Sequence, residues 1–211
     1  LMASIYQIEI SPHTMPVHLG HLNYQPSKLE EAVNKWHHDT IPLDYVMMVS
    51  DPATLSGGGF EYFLGTKMEV EELSKQGKTP PRDRVKAPKF PGPGYAVALH
   101  GNMVVHRGAP LTDPGERITM VNAYVSMDCL VDDQSRSRDL IGIDDPAALY
   151  AEWAKHASWR TQNRLQQIID SMAFDQEPDQ VLDQLEFAAN DLLKTINDMK
   201  AGPREAQHYE Q

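Results

Sequence analysis

The sequence has one cysteine, no long apolar run and fewer basic than acidic residues, and each shortage excludes a class of protein. The single thiol, Cys129, allows no disulfide within the chain and no site built from several thiolates. It lies in an apolar run, which predicts a small buried residue in a cytoplasmic protein. No stretch reaches the roughly 20 apolar residues that cross a bilayer, so no membrane partner is expected. Nineteen lysines and arginines against 30 aspartates and glutamates give a net charge of −11, which disfavours a nucleic-acid partner.

The first ten residues carry neither a basic segment nor a long apolar core, so they do not form a secretory signal. Apolar and polar residues alternate from Ser4 to Ile10, which predicts a strand. The chain is therefore expected to begin inside a fold, with a truncated or unusually short N-terminus.

Residues 1–130 predict a strand-rich core, because short apolar and aromatic runs alternate with Gly and Pro turns. The predicted strands are Ser4–Ile10, Asp44–Ser50, Phe60–Gly65, Tyr95–Leu99, Val104–Arg107 and Arg117–Val125. Many short strands joined by such turns are typical of a sandwich, a barrel or a jelly roll. Two short helices are expected within this part, at Ser27–Trp36 and at the start of Met68–Lys89.

Residues 144–202 predict a second domain, a helical hairpin. Apolar residues at helical spacing mark Pro146–Met172 and Asp179–Lys200, and Glu177-Pro178 separates them. Asp145 before Pro146 is a typical helix start. The hairpin either packs on the core or forms a subunit interface in a homo-oligomer. The fold class is therefore α+β.

Two histidines and an aspartate form a candidate metal site. His37 and Asp39, at positions i and i+2 of an extended segment, point to the same side. This spacing is a weak signal alone, but His106 follows a predicted hairpin turn and supplies a second imidazole. Two histidines and one carboxylate on one face of a metal leave open positions, the arrangement that suits Fe(II) oxygenases.

Arg117 and Thr119 form a candidate carboxylate receptor. They too stand at i and i+2, and the apolar residues around them predict a buried strand. A buried guanidinium requires an anionic partner, and a neighbouring hydroxyl adds a second hydrogen bond.

The order of these motifs resembles the Fe(II)/2-oxoglutarate-dependent dioxygenases, in particular microbial, fungal-type oxygenases of small molecules in secondary metabolism. The resemblance covers Gln7 to Val125 and not the C-terminal helices. The stretches that carry it are Trp36–Thr40, Met47–Asp51, Gly58–Phe63, Gly65-Thr66, Gly94–Leu99 and Glu116–Tyr124.

The resemblance implies a double-stranded β-helix, a cupin-like jelly roll. It also implies that Fe(II) is held by His37, Asp39 and His106, that 2-oxoglutarate is bound by Arg117 and Thr119, and that O2 is the oxidant. The expected substrate is a small organic metabolite, with an amino-acid derivative as one candidate, which is hydroxylated, desaturated or cyclised. Halogenation is disfavoured, because related halogenases lack the carboxylate ligand that Asp39 supplies.

Several alternatives stay open on the sequence alone. The substrate could instead be a protein side chain, or the protein could be a cupin-like metal-binding protein without turnover. His38 is a weaker candidate ligand than His37, because it points to the opposite face of the same strand. His13, His18 and His21 match no compact metal site, and the sequence does not define their roles.

Overall fold

The computed structural model describes residues 1–24, 29, 31–131, 133, 135, 138, 140–141, 144–203 and 208–209. The chain divides into two compact units. The helical unit comprises Leu1–Val17 and Val125–Ala206, and the sheet unit comprises His18–Tyr124 and Gln207–Gln211. The predicted domains, residues 1–130 and 144–202, are not tested by this division and stay a prediction. Within the described residues, no helix is both long and apolar enough to span a membrane.

Strands dominate the middle of the chain and long helices its end. The strands are β1 (Ile10–Pro12), β2 (His21–Tyr24), β3 (Asn34–His37), β4 (Leu43–Met48), β5 (Phe60–Phe63), β6 (Val85–Lys86), β7 (Ala96–Leu99), β8 (His106–Gly108) and β9 (Ile118–Ser126). The α-helices are α1 (Met2–Tyr6), α2 (Lys67–Lys75), α3 (Pro146–Ser171) and α4 (Pro178–Ala201). Short 3₁₀ turns cover Pro16–His18, Pro52–Thr54 and Arg82–Arg84.

Two antiparallel sheets build the sheet unit. One has the order β2–β9–β4–β7, and the other has the order β3–β8–β5–β6. Their inner faces share a core in which Val46 and Leu99 of the first sheet meet Phe60 of the second. The mixed α+β class with antiparallel sheets and a C-terminal helical pair is confirmed. The described strands do not join the two sheets into a closed barrel.

A second apolar cluster lies behind β3 and β8. Trp36 and Val105 are its central members, only 2% and 0% exposed, and each directly precedes a histidine. Successive residues of a strand point to opposite faces. Burial of Trp36 and Val105 therefore turns His37 and His106 toward the other face.

The helical unit is organised around α3. Its first turn has the predicted start, with the Asp145 side chain accepting a hydrogen bond from the Ala147 N–H and Pro146 in the first position. Further along, Arg160 and Arg164 are fully buried one turn apart. Arg160 donates to the Ser126 and Val131 carbonyls, and Arg164 donates to the Cys129 carbonyl. These bonds fix the 126–131 segment, and Cys129 is buried there as predicted.

Two predicted elements are wrong. The predicted strand Ser4–Ile10 is replaced by α1 and a short β1. Ile5 and Ile8 are 52% and 44% exposed, so they do not pack in a core as residues of a half-buried strand would. The last residues of the predicted helix Ser27–Trp36 instead form β3, because pairing with β8 overrides the local helix signals. Ser27 and Glu30, near the start of that predicted helix, lie outside the described residues.

Candidate metal centre

Strand register brings two distant histidines together. In the antiparallel pair of β3 and β8, His37 stands directly opposite His106. Residues opposite each other in such a pair lie on the same face of the sheet, roughly 5 Å apart at Cβ. The two imidazole rings are 4.4 Å apart between centroids. A separation of 69 positions in sequence thus becomes a contact across neighbouring strands.

The Asp39 carboxylate completes the cluster. Its Oδ1 lies 3.4 Å from His37 Nε2, and its Oδ2 lies 3.4 Å from His106 Nε2. One ligand atom from each of the three residues lies within 4.8 Å of the other two. Among the described residues this is the group of histidine and carboxylate side chains that can hold a metal ion.

Both imidazoles are held in the tautomer that a metal requires. His37 Nδ1 lies 2.6 Å from the Lys35 carbonyl, and His106 Nδ1 lies 2.9 Å from the Val104 carbonyl. A carbonyl only accepts hydrogen bonds, so each Nδ1 carries the proton and each Nε2 keeps a lone pair. This is the usual outer contact of metal-bound histidine, which fixes ring orientation as well as tautomer.

Electrostatics favours an ionised carboxylate at this point. Burial alone would raise the pKa of the Asp39 carboxyl, but His106 and His37 hold that pKa below its usual range. Burial would likewise lower the pKa of His37, and the hydrogen bond and charge of Asp39 outweigh it and raise that pKa. Desolvation prevails at His106 and lowers its pKa. The cluster thus combines one anion with two imidazoles, a donor set for a divalent cation.

Asp44 is a member of the site that sequence reasoning missed. It is only 1% exposed, on β4, and its side chain is hydrogen-bonded to Asp39. Burial and the Asp39 charge raise the pKa of Asp44 well above its usual range. Burial and the Asp39 charge thus favour the protonated form of Asp44, which can donate a hydrogen bond to the Asp39 carboxylate. The signal was available, because a carboxylate inside the apolar run Leu43–Met48 is unusual.

Gly101 leaves the space in which the two carboxyl groups meet. A Cβ atom on Gly101 would lie 2.2 Å from Asp44 Oδ2 and 2.8 Å from Asp39 Oδ2. The Gly101 carbonyl also accepts a hydrogen bond from the Asp39 N–H at 2.8 Å. The turn before β8 thus positions Asp39 by its backbone and by its lack of a side chain.

We expect Asp44→Ala to weaken metal binding roughly 10-fold, because outer contacts of metal ligands have effects of this size. Asp44→Asn should stay within a few-fold of the original protein, since its amide N–H can replace the donated proton. Calorimetric titration with Fe(II) under anaerobic conditions measures both variants, and circular dichroism checks their folding. If both folded variants lost the same affinity for Fe(II), the hydrogen bond to Asp39 would be shown not to contribute to metal binding.

Arg117 and Thr119 are both buried, at 2% exposure each. Arg117 Nε–H donates to the Gly58 carbonyl at 2.5 Å, and its Nη1 lies 3.4 Å from Thr119 Oγ1. Desolvation lowers the pKa of Arg117 to about 10. No carboxylate among the described residues forms an ion pair with this guanidinium. A buried cation in this state can pair with an anion from outside the chain.

The position of Gly108 shows where the Arg117 guanidinium lies relative to the candidate metal cluster. A Cβ atom on Gly108 would lie 3.5 Å from Arg117 Nη2, and Gly108 is two residues beyond His106 on β8. Residues i and i+2 of a strand face the same side and are about 7 Å apart. The guanidinium and the His106 ring therefore lie on the same face of β8.

The remaining histidines stay outside the cluster. His38 Nδ1 is 2.7 Å from the Tyr209 hydroxyl, on the side of the apolar cluster behind β3. His13 is buried in the helical unit, where it contacts Ser135 and stacks on His156. His18 ends a 3₁₀ turn and His21 is an exposed residue of β2.

A second feature that the sequence did not indicate is the return of residues 208–209 to β3. The Tyr209 N–H donates to the Trp36 carbonyl at 2.8 Å, and His208 forms a bridge with His37. Tyr209 itself is 3% exposed and packs with Trp36. Pairing of this kind depends on tertiary contacts and leaves no periodic pattern in so short a segment.

Several residues near the cluster have structural roles. Arg107 points away from His106 and pairs with Glu61 at 2.8 Å. Gly57 and Gly58 have positive φ values of 79° and 69°, and Gly57 forms an antiparallel bridge with Leu111. Trp36 is a core residue, whereas Tyr24 is 61% exposed and does not belong to the core.

The sequence matches no known family and no curated protein. One solved structure with some likeness is described as a non-heme monooxygenase, ThoJ-Ni complex. The match has a TM-score of 0.40 and 14% identity, and it covers 85% of this chain and 64% of that chain. This chain therefore spans less than two thirds of that neighbour. A likeness of this size does not identify a function. The function is therefore inferred from the geometry and chemistry of the site.

Proposed function

We propose that the protein is a non-haem Fe(II) oxygenase that uses 2-oxoglutarate and O2 to oxidise a small organic metabolite. In the hydroxylation form of this reaction, 2-oxoglutarate loses CO2 and becomes succinate. One oxygen atom of O2 enters succinate and the other enters the substrate. Desaturation and ring closure are the other outcomes that the same chemistry allows.

One observation carries the proposal: a buried guanidinium, with no anionic partner in the described part of the chain, lies on the same strand face as a two-histidine, one-carboxylate cluster. The cluster alone is compatible with several divalent metals and several reactions. Arg117 adds a requirement for an anion beside Gly108, two residues along β8 from His106, as expected for a dicarboxylate that is held at the metal by one end and at Arg117 by the other. A plain metal-binding protein has no need for such a receptor.

The residues fit ferrous iron by donor chemistry. Two imidazoles whose Nδ1 atoms face backbone carbonyls, so that their Nε2 atoms point toward an ionised carboxylate, are a suitable ligand set for ferrous iron. His37, Asp39 and His106 would hold the ion, and iron would supply the activation of O2.

Side chains of the protein would bind the co-substrate, orient a metal ligand and shield the site from water. Arg117 and Thr119 would bind the far carboxylate of 2-oxoglutarate by charge-assisted hydrogen bonds. Asp44 orients the Asp39 carboxylate, and Gly101 keeps the space for that contact. Phe60, 3% exposed with its ring 5.3 Å from the His106 ring, keeps water from one side of the imidazole.

We interpret the two antiparallel sheets as the two faces of a double-stranded β-helix. The support is the shared core of Val46, Leu99 and Phe60 and the placement of the metal cluster on strands of the second sheet. In such a fold the ligands of a metal lie at one end of the sandwich, which agrees with the position of His37 at the end of β3.

Succinate formation tests the proposed function. Protein loaded with Fe(II) without oxygen, supplied with 2-oxoglutarate and then exposed to air, should release succinate slowly even without substrate. Mass spectrometry with isotopically labelled 2-oxoglutarate measures this product. Asp39→Ala should form none, because the anionic ligand is lost. Firm Fe(II) binding without 2-oxoglutarate binding or succinate release would overturn the oxygenase proposal and leave a metal-binding protein.

A further inference from the structure

Helix α4 carries an exposed apolar stripe in addition to the side that packs on α3. Ala188 is the buried residue of α4, whereas five large apolar residues are between 37% and 56% exposed. These residues are Leu182, Leu185, Leu192, Leu193 and Ile196. With the exposed Ala189 they fall within about 100° of the helix surface, the width of a packing face.

The spacing of this stripe is that of a helix–helix seam. Positions 182, 185, 189, 192 and 196 repeat with alternating steps of three and four residues, the pattern of interhelical contact. A large apolar side chain that is half exposed shows about 100 Å², so the stripe offers roughly 500 Å² per copy and roughly 1,000 Å² for two copies. That area reaches the lower bound of a specific interface once polar neighbours are added.

We propose that the stripe is a homodimer interface, in which α4 packs antiparallel on α4 of a second copy about a twofold axis at Ala189. An interface of this symmetry requires that each residue faces its counterpart reciprocally. Leu182 and Ile196 are each seven residues from Ala189, and Leu185 and Leu193 are each four residues from it. These four residues thus meet large apolar counterparts, Leu192 at the edge of the stripe stands opposite position 186, and the small Ala189 at the centre lets the helices approach closely.

Charge also favours a second copy in this orientation. The first half of the helix is acidic, with Glu177, Asp179, Asp183 and Glu186. In the second half, Asp191 is paired with Arg164 at 2.7 Å and Asp198 lies 4.0 Å from Arg138. Lys194 and Lys200 therefore remain as the charges that this half presents.

The antiparallel register places Lys200, which lies at the edge of the stripe, beside acids of the other copy. Lys200 is eleven residues from Ala189, opposite position 178 and hence between Glu177 and Asp179. Lys194 lies on the side of α4 away from the stripe, near Asp191 and Asp198, and takes no part in the seam. A parallel arrangement would instead place acid against acid, which is destabilising.

Light scattering coupled to size-exclusion chromatography tests the assembly on the whole chain. We expect twice the mass of one chain at micromolar concentrations, and a monomer for Leu185→Glu, because two glutamates would be buried in the seam. Met68→Glu is the matched control: Met68 is 76% exposed on α2 of the sheet unit, so its variant should remain dimeric. A monomer at about 100 μM, or a dimer that persists in Leu185→Glu, would overturn the proposal.

A disulfide tests the register. Ala189→Cys should form a covalent dimer under mild oxidation, because residues on the twofold axis meet their own counterparts at disulfide distance. Lys194→Cys should not, and the native thiol of Cys129 is buried. Cross-linking of Lys194→Cys but not Ala189→Cys would exclude the antiparallel pairing. A folded monomer that binds only a different protein through α4 would exclude the second copy as the occupant.

Discussion

Replacement of His37 by alanine is expected to weaken Fe(II) binding by roughly 100-fold or more and to abolish succinate formation. The reason is that loss of a direct ligand has a larger effect than loss of the outer contacts, whose effects are 10- to 100-fold. His37 Nε2 lies 3.4 Å from Asp39 Oδ1, and its ring faces His106 across the strand pair. Metal analysis after desalting and anaerobic titration with Fe(II) measure the loss.

The neighbouring residue provides the matched control. His38→Gln should retain both the metal and turnover, because His38 contacts the Tyr209 hydroxyl on the other side of the strand. Glutamine can still accept that hydrogen bond. If His38→Gln lost the metal while His37→Ala kept it, the ligand assignment along β3 would be shifted by one residue and the wrong face would have been chosen.

Arg117→Gln is expected to raise the 2-oxoglutarate concentration required for half-maximal turnover roughly 10- to 150-fold. A hydrogen bond to a charged partner contributes about 1.5–3 kcal/mol, and each 1.4 kcal/mol corresponds to a factor of ten. The glutamine amide can still donate to the Gly58 carbonyl that Arg117 Nε–H now contacts. The variant therefore removes the charge with little change to the local structure.

The comparison that makes this result specific is the metal content. Arg117→Gln should bind Fe(II) as tightly as the original protein, since none of the three candidate ligands is altered. Arg84→Gln, which removes an exposed ion pair with Glu69, should leave the 2-oxoglutarate requirement unchanged. An unchanged requirement in Arg117→Gln, or loss of iron from it, would exclude Arg117 as the carboxylate receptor.

Much of the candidate site was predictable because its geometry is local. The i, i+2 spacing fixes that His37 and Asp39 share a side, and the same rule groups Arg117 with Thr119. Burial of Arg117 followed from its apolar neighbours, and both residues are 2% exposed. The long helices were predicted within one or two residues, because 3.6-residue periodicity over six or more turns is a strong signal.

The parts that the sequence did not reveal depend on contacts between distant segments. Asp44 acts on Asp39 only because the β4 strand and the turn at Gly101 meet there. The strand β3 exists because it pairs with β8, although its local sequence predicted a helix. Tyr209 docks against Trp36 from the far end of the sequence. No local pattern encodes such pairings, and a single sequence gives no covariation to indicate them.

The apolar cluster behind β3 and β8 has a consequence for metal discrimination. Trp36 and Val105, each one residue before a histidine, share their backbone with the ligand face and are held in a close-packed core. Trp36 and Val105 therefore restrict the movement of the two imidazoles, although neither side chain would contact the ion. Similar donor sets bind many divalent ions. Selectivity for one ion therefore depends on how rigidly the ligand geometry is maintained. Substitutions in this core would thus broaden the range of ions accepted before they unfold the protein.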